Sequence, residues 1–520
     1  MRVDVLVIGG GATGAGIVRD LSMRGVDVML LEKGDFCSGS SGGNHGLLHS
    51  GARYAVKDPE SAKECVSESR ILKGIAWNCI EDTGGMFVSV GKDDPGFADV
   101  FHDACKATGV RAARSTAKEL HQVERNLSDD VADGFLVDDA VIDPFRLVLT
   151  NIEDARRHGA TVRNHCEVVS FERSDGHIGE VKFKDQRNGS VGSVVPEVVV
   201  NAAGSSSGSI ASMVGGNLAM TRDYGTLVVF SGKLVSGTVN RLRPPSDGDI
   251  IVPSHTSMIA GTTSRSISGP SDARPTIEDK ELIIKEVSEM VPALRGARAI
   301  RAYGASRPLA SGSSGRGASR TFKLIDHEEG GVDNLISIIG GKLTTYRMMA
   351  ERTSDAVCAK LGVRANCTTG EEVMEASRLD EAVTLVSASQ SESMRRRYGH
   401  VPSEMMNVVP VGSMGVQSCS CENVMRFELE HYASSEDVIT IADLMRRTRA
   451  GMGYCQGTGC MWEMASALSD EGDIDLLIRD FVRERREGSS TVIEGDQLRQ
   501  EMFRSHLLWP FQAARGGEER

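Results

Sequence analysis

Arg2-Val3-Asp4-Val5-Leu6-Val7-Ile8-Gly9-Gly10-Gly11-Ala12-Thr13-Gly14-Ala15-Gly16 is the stretch that decides the fold. An apolar run of strand length enters a glycine turn and leaves as a helix predicted over 12–23, with Ile17, Val18 and Leu21 on one face. Each glycine has its own mechanical reason. Gly9 allows the tight turn, Gly11 lets backbone approach a pyrophosphate, and Gly14 lets the helix lie close on the sheet. Phosphates then sit at the positive end of that helix. Val26 to Leu31 predicts a second strand ending in Glu32, about 20 residues past the loop, where a carboxylate holds ribose hydroxyls. The combination predicts a dinucleotide cradle on a Rossmann-like α/β domain.

The chain has 520 residues, enough for two or three domains with real cores. A net charge of -13, with no Lys/Arg run that stands out to neutralise phosphates, argues against a nucleic-acid surface. The longest apolar runs, such as 3–8 and 336–339, are too short to cross a bilayer, and the opening residues enter a strand without a basic leader. A cytoplasmic location is expected, with membrane contact left to a partner or a surface patch. The eleven cysteines are an odd number in an intracellular-looking chain, which disfavours a disulfide framework. Seven of them, Cys37, Cys65, Cys79, Cys105, Cys166, Cys358 and Cys367, lack ligand spacing and read as small buried residues.

Outward from the cradle, residues 33–46 form a small, polar stretch placed to wrap a cofactor with backbone N–H groups and hydroxyls. In Leu47-Leu48-His49-Ser50-Gly51-Ala52-Arg53-Tyr54, His49 and Arg53 share a face if the segment is a helical turn. An amphipathic helix is predicted from Pro59 to Asp82, then a strand over 86–90, a helix over 144–158 and an alternating strand over 160–171. The apolar strand 197–200 runs into Asn201-Ala202-Ala203-Gly204, where a buried parallel strand meets the cofactor again. Residues 221–263 are β-rich, with strands at 225–230, 249–252 and 257–260, and a helix follows over 278–291. Ala310 to Ser319 is a Ser/Gly loop. Asp326-His327-Glu328-Glu329, before two glycines, reads as a polar hairpin turn rather than a metal site. A strand over 335–339, the turn Gly340-Gly341-Lys342-Leu343-Thr344-Thr345 and a helix over 346–361 then repeat the strand, glycine, helix arrangement about three hundred residues later.

Cys419-Ser420-Cys421 and Cys455-Gln456-Gly457-Thr458-Gly459-Cys460 are separated by thirty-three residues, with a helix predicted over 437–447 between them. Two close pairs in small-residue turns can converge on one thiolate-held metal centre. Zinc is the structural alternative to iron–sulfur, and four cysteines alone leave both open.

GGGATGAG with Asp20, LLHSGARY, DPFRLVLTNIEDARRHGA, VVVNAAG, AGTTS, SRPLA and GGKLTTYR together resemble the FAD-dependent glycerol-3-phosphate dehydrogenases over roughly residues 1–362. The C-terminal cysteines resemble the small [2Fe–2S] domain of bacterioferritin-associated ferredoxin, and narrow the likeness towards the A subunit of the anaerobic three-subunit enzyme. The resemblance implies FAD held by Gly9, Gly11, Gly14, Glu32, Ser40, Ser41, Ala203, Gly204, Gly340, Gly341, Leu343 and Thr344. It implies His49 at the reacting hydroxyl, with Arg53, Tyr54, Arg307, Lys342 and, more remotely, Arg320 around a glycerophosphate. It also implies a [2Fe–2S] cluster on Cys419, Cys421, Cys455 and Cys460. Gly304-Ala305-Ser306-Arg307 departs from the family by one extra residue before a glycine-rich loop, which bears on substrate identity more than on the cofactor.

The implied organisation is a FAD-dependent oxidoreductase over 1–362, its β-rich substrate domain inserted at about 84–140 and 221–325. A connection over 363–405, an α-helical iron–sulfur domain over 406–468 and a tail or docking segment over 469–520 follow. The expected reaction is oxidation of sn-glycerol 3-phosphate to dihydroxyacetone phosphate. A histidine takes the hydroxyl proton, arginines clamp phosphate in fork geometry and a lysine favours a developing alkoxide. Electrons are expected to pass to iron–sulfur or quinone-linked partner subunits, with attachment at the inner face of the cell membrane through such partners. The rival readings are an oxidase reducing oxygen and a non-catalytic protein of electron transfer or assembly.

Overall fold

The computed structural model describes residues 1–267, 272–310, 321–378, 387–399, 405, 415–469 and 474–507. The strand Arg2–Ile8 lies between two parallel neighbours, Val28–Leu31 and Val191–Asn201. Thr161–Arg163 extends the sheet beyond the first, and Leu335–Gly340 beyond the second. Phe322–Asp326 then runs antiparallel to Leu335–Gly340 through a short turn at Glu328–Gly330, so the Asp326–Glu329 segment is a hairpin connection. Val5 and Val7 enter one core, with Ile17, Leu21, Leu147 and Tyr346 from the helices Ala12–Met23, Pro144–Arg157 and Tyr346–Leu361. Leu6 and Ile8 enter another on the opposite face, with Met29 and Val199. A sheet buried on both faces needs continuous apolar strands rather than alternating ones, as the sequence 3–8 shows.

A second sheet of nine strands is drawn from two separate stretches of chain, which meet where Gly85–Val90 lies parallel to Thr238–Arg241. Its longest pair is Met220–Ser231 against Ala299–Ala310, antiparallel from Met220 opposite Ala310 to Phe230 opposite Ala299. The helix Ile277–Met290 covers it with Ile283, Val287 and Met290. Phe322–Asp326 belongs to the first sheet, so the chain has already left this layer before residue 325.

Three short helices, Arg426–Ala433, Ile441–Thr448 and Met461–Leu468, enclose a third core that includes Cys419 and Cys460. Ile474–Ser489 adds Ile478, Phe481 and Val482 to it, and Asp496–Leu507 follows, so the described part of the tail is helical and partly core. The connection also carries a helix, Ala388–Tyr398, whose Met394 and Tyr398 pack on Met425 and Phe427. No helix among the described residues is long and apolar enough to cross a membrane.

Ion pairs fasten this C-terminal unit to the cofactor sheet. Asp35, just past the ribose strand, takes Arg446 at 3.0 Å and Arg447 at 2.9 Å. His165 reaches Asp443 at 3.1 Å, and Arg449 bridges Asp143 at 3.0 Å and Glu422 at 3.2 Å. Asp35, His165 and Asp443 crowd closely enough to suggest a cation site, but the guanidiniums already supply the countercharge.

Several sequence expectations change. The helix from Pro59 stops at Ile75, because Ile80–Glu81 is drawn into edge pairing with Ala140–Ile142 and Trp77 donates to the Ser377 carbonyl. The strand over 160–171 is cut at Asn164-His165, where His165 takes φ 50° and the chain passes to Cys166–Ser174. The helix expected from 437 begins at Ile441, capped by Thr440 accepting from Asp443 N. His49 and Arg53 do not share a helical turn: Gly51, at φ 99°, separates the strand Leu47–Leu48 from a single turn over Ala52–Tyr54. The Ser/Gly loop over 311–319, Arg320 and residues 508–520 lie outside the described residues.

Candidate active site

A cavity of about 920 Å³ is lined by both sheets. Gly9, Gly11, Glu32, Ser40, Ser41, Ala203, Gly204, Gly340, Gly341 and Leu343 line it, as do His49, Arg53, Tyr54, Arg307 and Lys342. The two glycine turns therefore face the same space from opposite ends of the sequence. Gly14 and Thr344 are near it without lining it. A Cβ on Gly14 would fall 1.9 Å from the Gly9 carbonyl oxygen, so Gly14 serves helix-to-loop packing. Thr344 is fully buried, and its Oγ1 accepts from His49 N at 3.2 Å, so it holds the histidine segment.

The first turn fits a dinucleotide. Gly9 has φ 114°, and a Cβ there would meet the Ala202 carbonyl oxygen at 2.6 Å. The helix Ala12–Met23 starts without a side-chain cap on Gly11 and without an acid in its first turn, which leaves its positive end to the cavity. Ser41 Oγ accepts from Ala12 N at 2.9 Å. Glu32 is fixed by Gly10 N at 2.7 Å and Gly34 N at 2.8 Å, and its remaining lone pairs suit ribose hydroxyls.

Three cations ring the other end, each held by a carboxylate. Arg53 lies 3.5 Å from Asp249, and Lys342 lies 3.3 Å from Glu64 and 3.0 Å from Ser61 Oγ. Arg307 pairs with Asp223, its neighbour across the strand pair, and donates to Thr262 Oγ1 at 3.0 Å and to the Thr263 carbonyl at 2.8 Å. Lys342 also lies 5.2 Å from the centroid of the Tyr54 ring. Held this way, the cations are oriented without being neutralised by solvent, and an anion entering between them competes with fixed carboxylates.

His49 is 7% exposed and makes edge contacts with Tyr54 at 5.1 Å and His45 at 5.8 Å. Its neighbour Ser50 donates through both N and Oγ to Asp139, at 2.8 and 2.7 Å. Burial pushes the Asp139 carboxyl up, against the hydrogen bonds from Ser50 and Asn240. Sequence reasoning passed over His45, which lines the cavity and accepts from Leu47 N through Nδ1 at 3.2 Å, leaving the ring proton on Nε2. Burial, then the nearby Arg53 and Arg307, lower His45 to about 3, so it is neutral at any ordinary pH. The carboxylates Asp223, Asp249 and Glu64 were also missed, since nothing local in the sequence marks an acid that will face a cation from a distant segment.

At the other centre the four cysteines converge. Cys419 and Cys421 sulfurs are 3.7 Å apart, Cys421 and Cys455 3.6 Å, and Cys460 hydrogen-bonds Cys419. The mutual sulfur contacts push Cys419 and Cys455 down and Cys421 and Cys460 up. Of the seven other cysteines, six are buried and Cys367 is half-buried.

The sequence pattern of the family described as FAD dependent oxidoreductase matches residues 4–351. The A subunit of the anaerobic glycerol-3-phosphate dehydrogenase of Escherichia coli (strain K12) is 37% identical over 534 residues, covering 99% of this chain and 97% of its own. The A subunit of the same name from Haemophilus influenzae is 35% identical, covering 98% and 92%. In architecture the chain is similar to the glycerol-3-phosphate dehydrogenase from Bacillus halodurans complexed with FAD, at TM-score 0.69 and 22% identity over 95% of this chain and 96% of that one. Glycine oxidase from Geobacillus kaustophilus matches at TM-score 0.56 and 20% identity, over 73% and 100%.

Proposed function

The chain belongs to the FAD dependent oxidoreductase family, and from that premise we propose that it oxidises sn-glycerol 3-phosphate to dihydroxyacetone phosphate. The observation that carries this reading is the convergence of His49, Arg53, Arg307 and Lys342 on a cavity whose far end is the dinucleotide cradle. Arg53 and Arg307 grip the phosphate, exchanging part of their contact with Asp249 and Asp223 for phosphate oxygens. Lys342 lowers the cost of negative charge on the reacting oxygen, and His49 takes the hydroxyl proton. His45, fixed as an Nε2–H donor, adds a neutral hydrogen bond in the same wall. FAD, held by the two glycine turns, Glu32 and the Ser40-Ser41 loop, supplies the acceptor for the carbon-bound hydride. Phosphate binding by two arginines fixed to different elements aligns the reacting carbon, which is where the binding energy goes.

The cysteine quartet is read as a [2Fe–2S] site that passes electrons singly to the quinone pool through a partner protein. A cluster would give a two-electron flavin a one-electron outlet, which a redox-inert zinc on the same four thiolates would not. The naming of the relatives as A subunits fits a larger complex, and attachment to the inner face of the membrane falls to its other members. The test is anaerobic titration of the purified chain with sn-glycerol 3-phosphate, following flavin bleaching and the electron paramagnetic resonance of the cluster together. Both should change with substrate. Rapid peroxide formation in air would favour an oxidase, and a flavin that stays yellow would remove the catalytic reading.

A further inference from the structure

The helix Ile474–Ser489 takes no part in the proposed chemistry, yet it buries a full positive charge beside the cysteine quartet. Phe481 packs into the same core as Cys419 and Cys460, and Arg485, one turn further on, is 5% exposed. Arg485 Nη1 donates to Gln456 Oε1 at 2.8 Å, inside the loop that joins Cys455 to Cys460. Its guanidinium lies 5.0 Å from the centroid of the Phe481 ring. Gln456 in turn donates to the carbonyls of Met452 and Gly453, at 3.2 and 2.9 Å. Gly457 has φ 85°, and a Cβ there would strike the Phe481 ring at 2.3 Å, so helix and loop are in direct contact.

The charge is poorly compensated within the protein. Arg485 Nε has no hydrogen-bond partner. Its carboxylate neighbour Glu484, 3.6 Å away and 44% exposed, is engaged by Arg301 of the strand Ala299–Ala310. A buried guanidinium left in this state calls for an anion nearby, and the loop it contacts through Gln456 is bounded by the sulfurs of Cys455 and Cys460.

We propose that Arg485 sets the reduction potential of the centre held by the quartet by stabilising its electron-loaded form. This rests on the iron–sulfur reading given above. In the step concerned, one electron of the pair removed from the substrate enters the centre, with no bond made or broken and no proton bound. The centre becomes more negative by one charge, and a fixed cation in a low-dielectric wall favours that state. The neighbouring Glu484 works in the opposite sense, so the two adjacent side chains are a matched pair of levers.

The experiment is a redox titration of the full chain, purified without oxygen, monitored by electron paramagnetic resonance. Arg485→Gln should lower the reduced-to-oxidised ratio at the wild-type midpoint about tenfold, which is 59 mV for a one-electron couple. Arg485→Lys should keep most of the wild-type value, and Glu484→Gln should shift the midpoint upward. An unchanged midpoint in Arg485→Gln with full signal overturns the proposal, as does a downward shift in both Arg485→Gln and Glu484→Gln, which marks mere loosening of the helix. Should Arg485→Gln fail to hold the centre, the signs of Arg485→Lys and Glu484→Gln still decide. A wild-type chain whose flavin bleaches with substrate but which gives no cluster signal overturns the iron–sulfur reading itself.

Discussion

His45 and His49 meet edge to face in the cavity wall, their ring centroids 5.8 Å apart at 75°. Burial beside two guanidiniums takes His45 out of contention as a proton acceptor, so His49 has no understudy. His49→Asn should lower kcat by about 10²- to 10⁴-fold while the flavin stays bound, measured by anaerobic dye-linked turnover. Activity within a few-fold of wild type would remove His49 from the role. In nitrogen-15 spectra, His45 should stay neutral with its proton on Nε2 at all pH values well above its lowered value of about 3.

Arg307 is expected to read phosphate and nothing else. Arg307→Ala removes charged hydrogen bonds worth about 1.5–3 kcal/mol, which is roughly ten- to a hundredfold in kcat/KM for glycerol 3-phosphate. Turnover of glycerol itself should hardly move. An equal loss on both substrates would mean that Arg307 supports the strand rather than the ligand. Asp223→Asn keeps a hydrogen-bonding partner but releases the charge, so KM should hold or fall.

Asp139 should cost the fold stability as pH rises. Its carboxyl is raised above the ordinary value by burial, so its favourable contribution is complete below about 4 and is lost as pH climbs through the raised value. Asp139→Asn keeps an oxygen for Ser50, and its amide can donate to Asn240, whose Oδ1 has no partner. The variant should therefore gain on wild type in thermal midpoint as pH is raised from 4 to neutrality, and a constant difference across that range would refute the account.

The flavin and cysteine centres should separate cleanly under mutation. Cys460→Ala is expected to abolish the cluster signal and bound iron while substrate still bleaches the flavin, since Cys460 belongs to the C-terminal core and not to the cavity. Metal analysis returning zinc and no iron in the wild-type chain would contradict the cluster assignment.

Asp35 neutralises two arginines from the C-terminal unit, Arg447 being 5% exposed. Asp35→Ala leaves that charge buried without its partner, a loss of about 3–5 kcal/mol. The expected readout is protease cleavage between the oxidoreductase body and the C-terminal helices at concentrations that leave wild type intact.

The cofactor sheet was legible because its signals are local: a buried strand, a tight glycine turn and a helix starting at Ala12 each follow from adjacent residues. The second cradle at Gly340 and the helix from Tyr346 were read the same way. What escaped depends on contacts across hundreds of residues. Ile80 joins an edge strand because Ala140–Ile142 is there to pair with it, and Asp223 matters because register sets it opposite Arg307. The helix Ile474–Ser489 lies in the stretch expected as a tail or docking segment; Arg485 and its charged neighbours dominate its composition, and only packing against the cysteine loop reveals which of those charges is inside.

The two twelve-residue strands Met220–Ser231 and Ala299–Ala310 stay laddered along almost their whole length, carrying Asp223 and Arg307 near one end. A plank braced so continuously cannot flex at one rung. On the proposed reading, the Arg307 side chain moves between Asp223 and the phosphate while the strands that carry both stay fixed, a rotamer event far faster than the parting of a sheet, and the aspartate acts as the cradle's return spring.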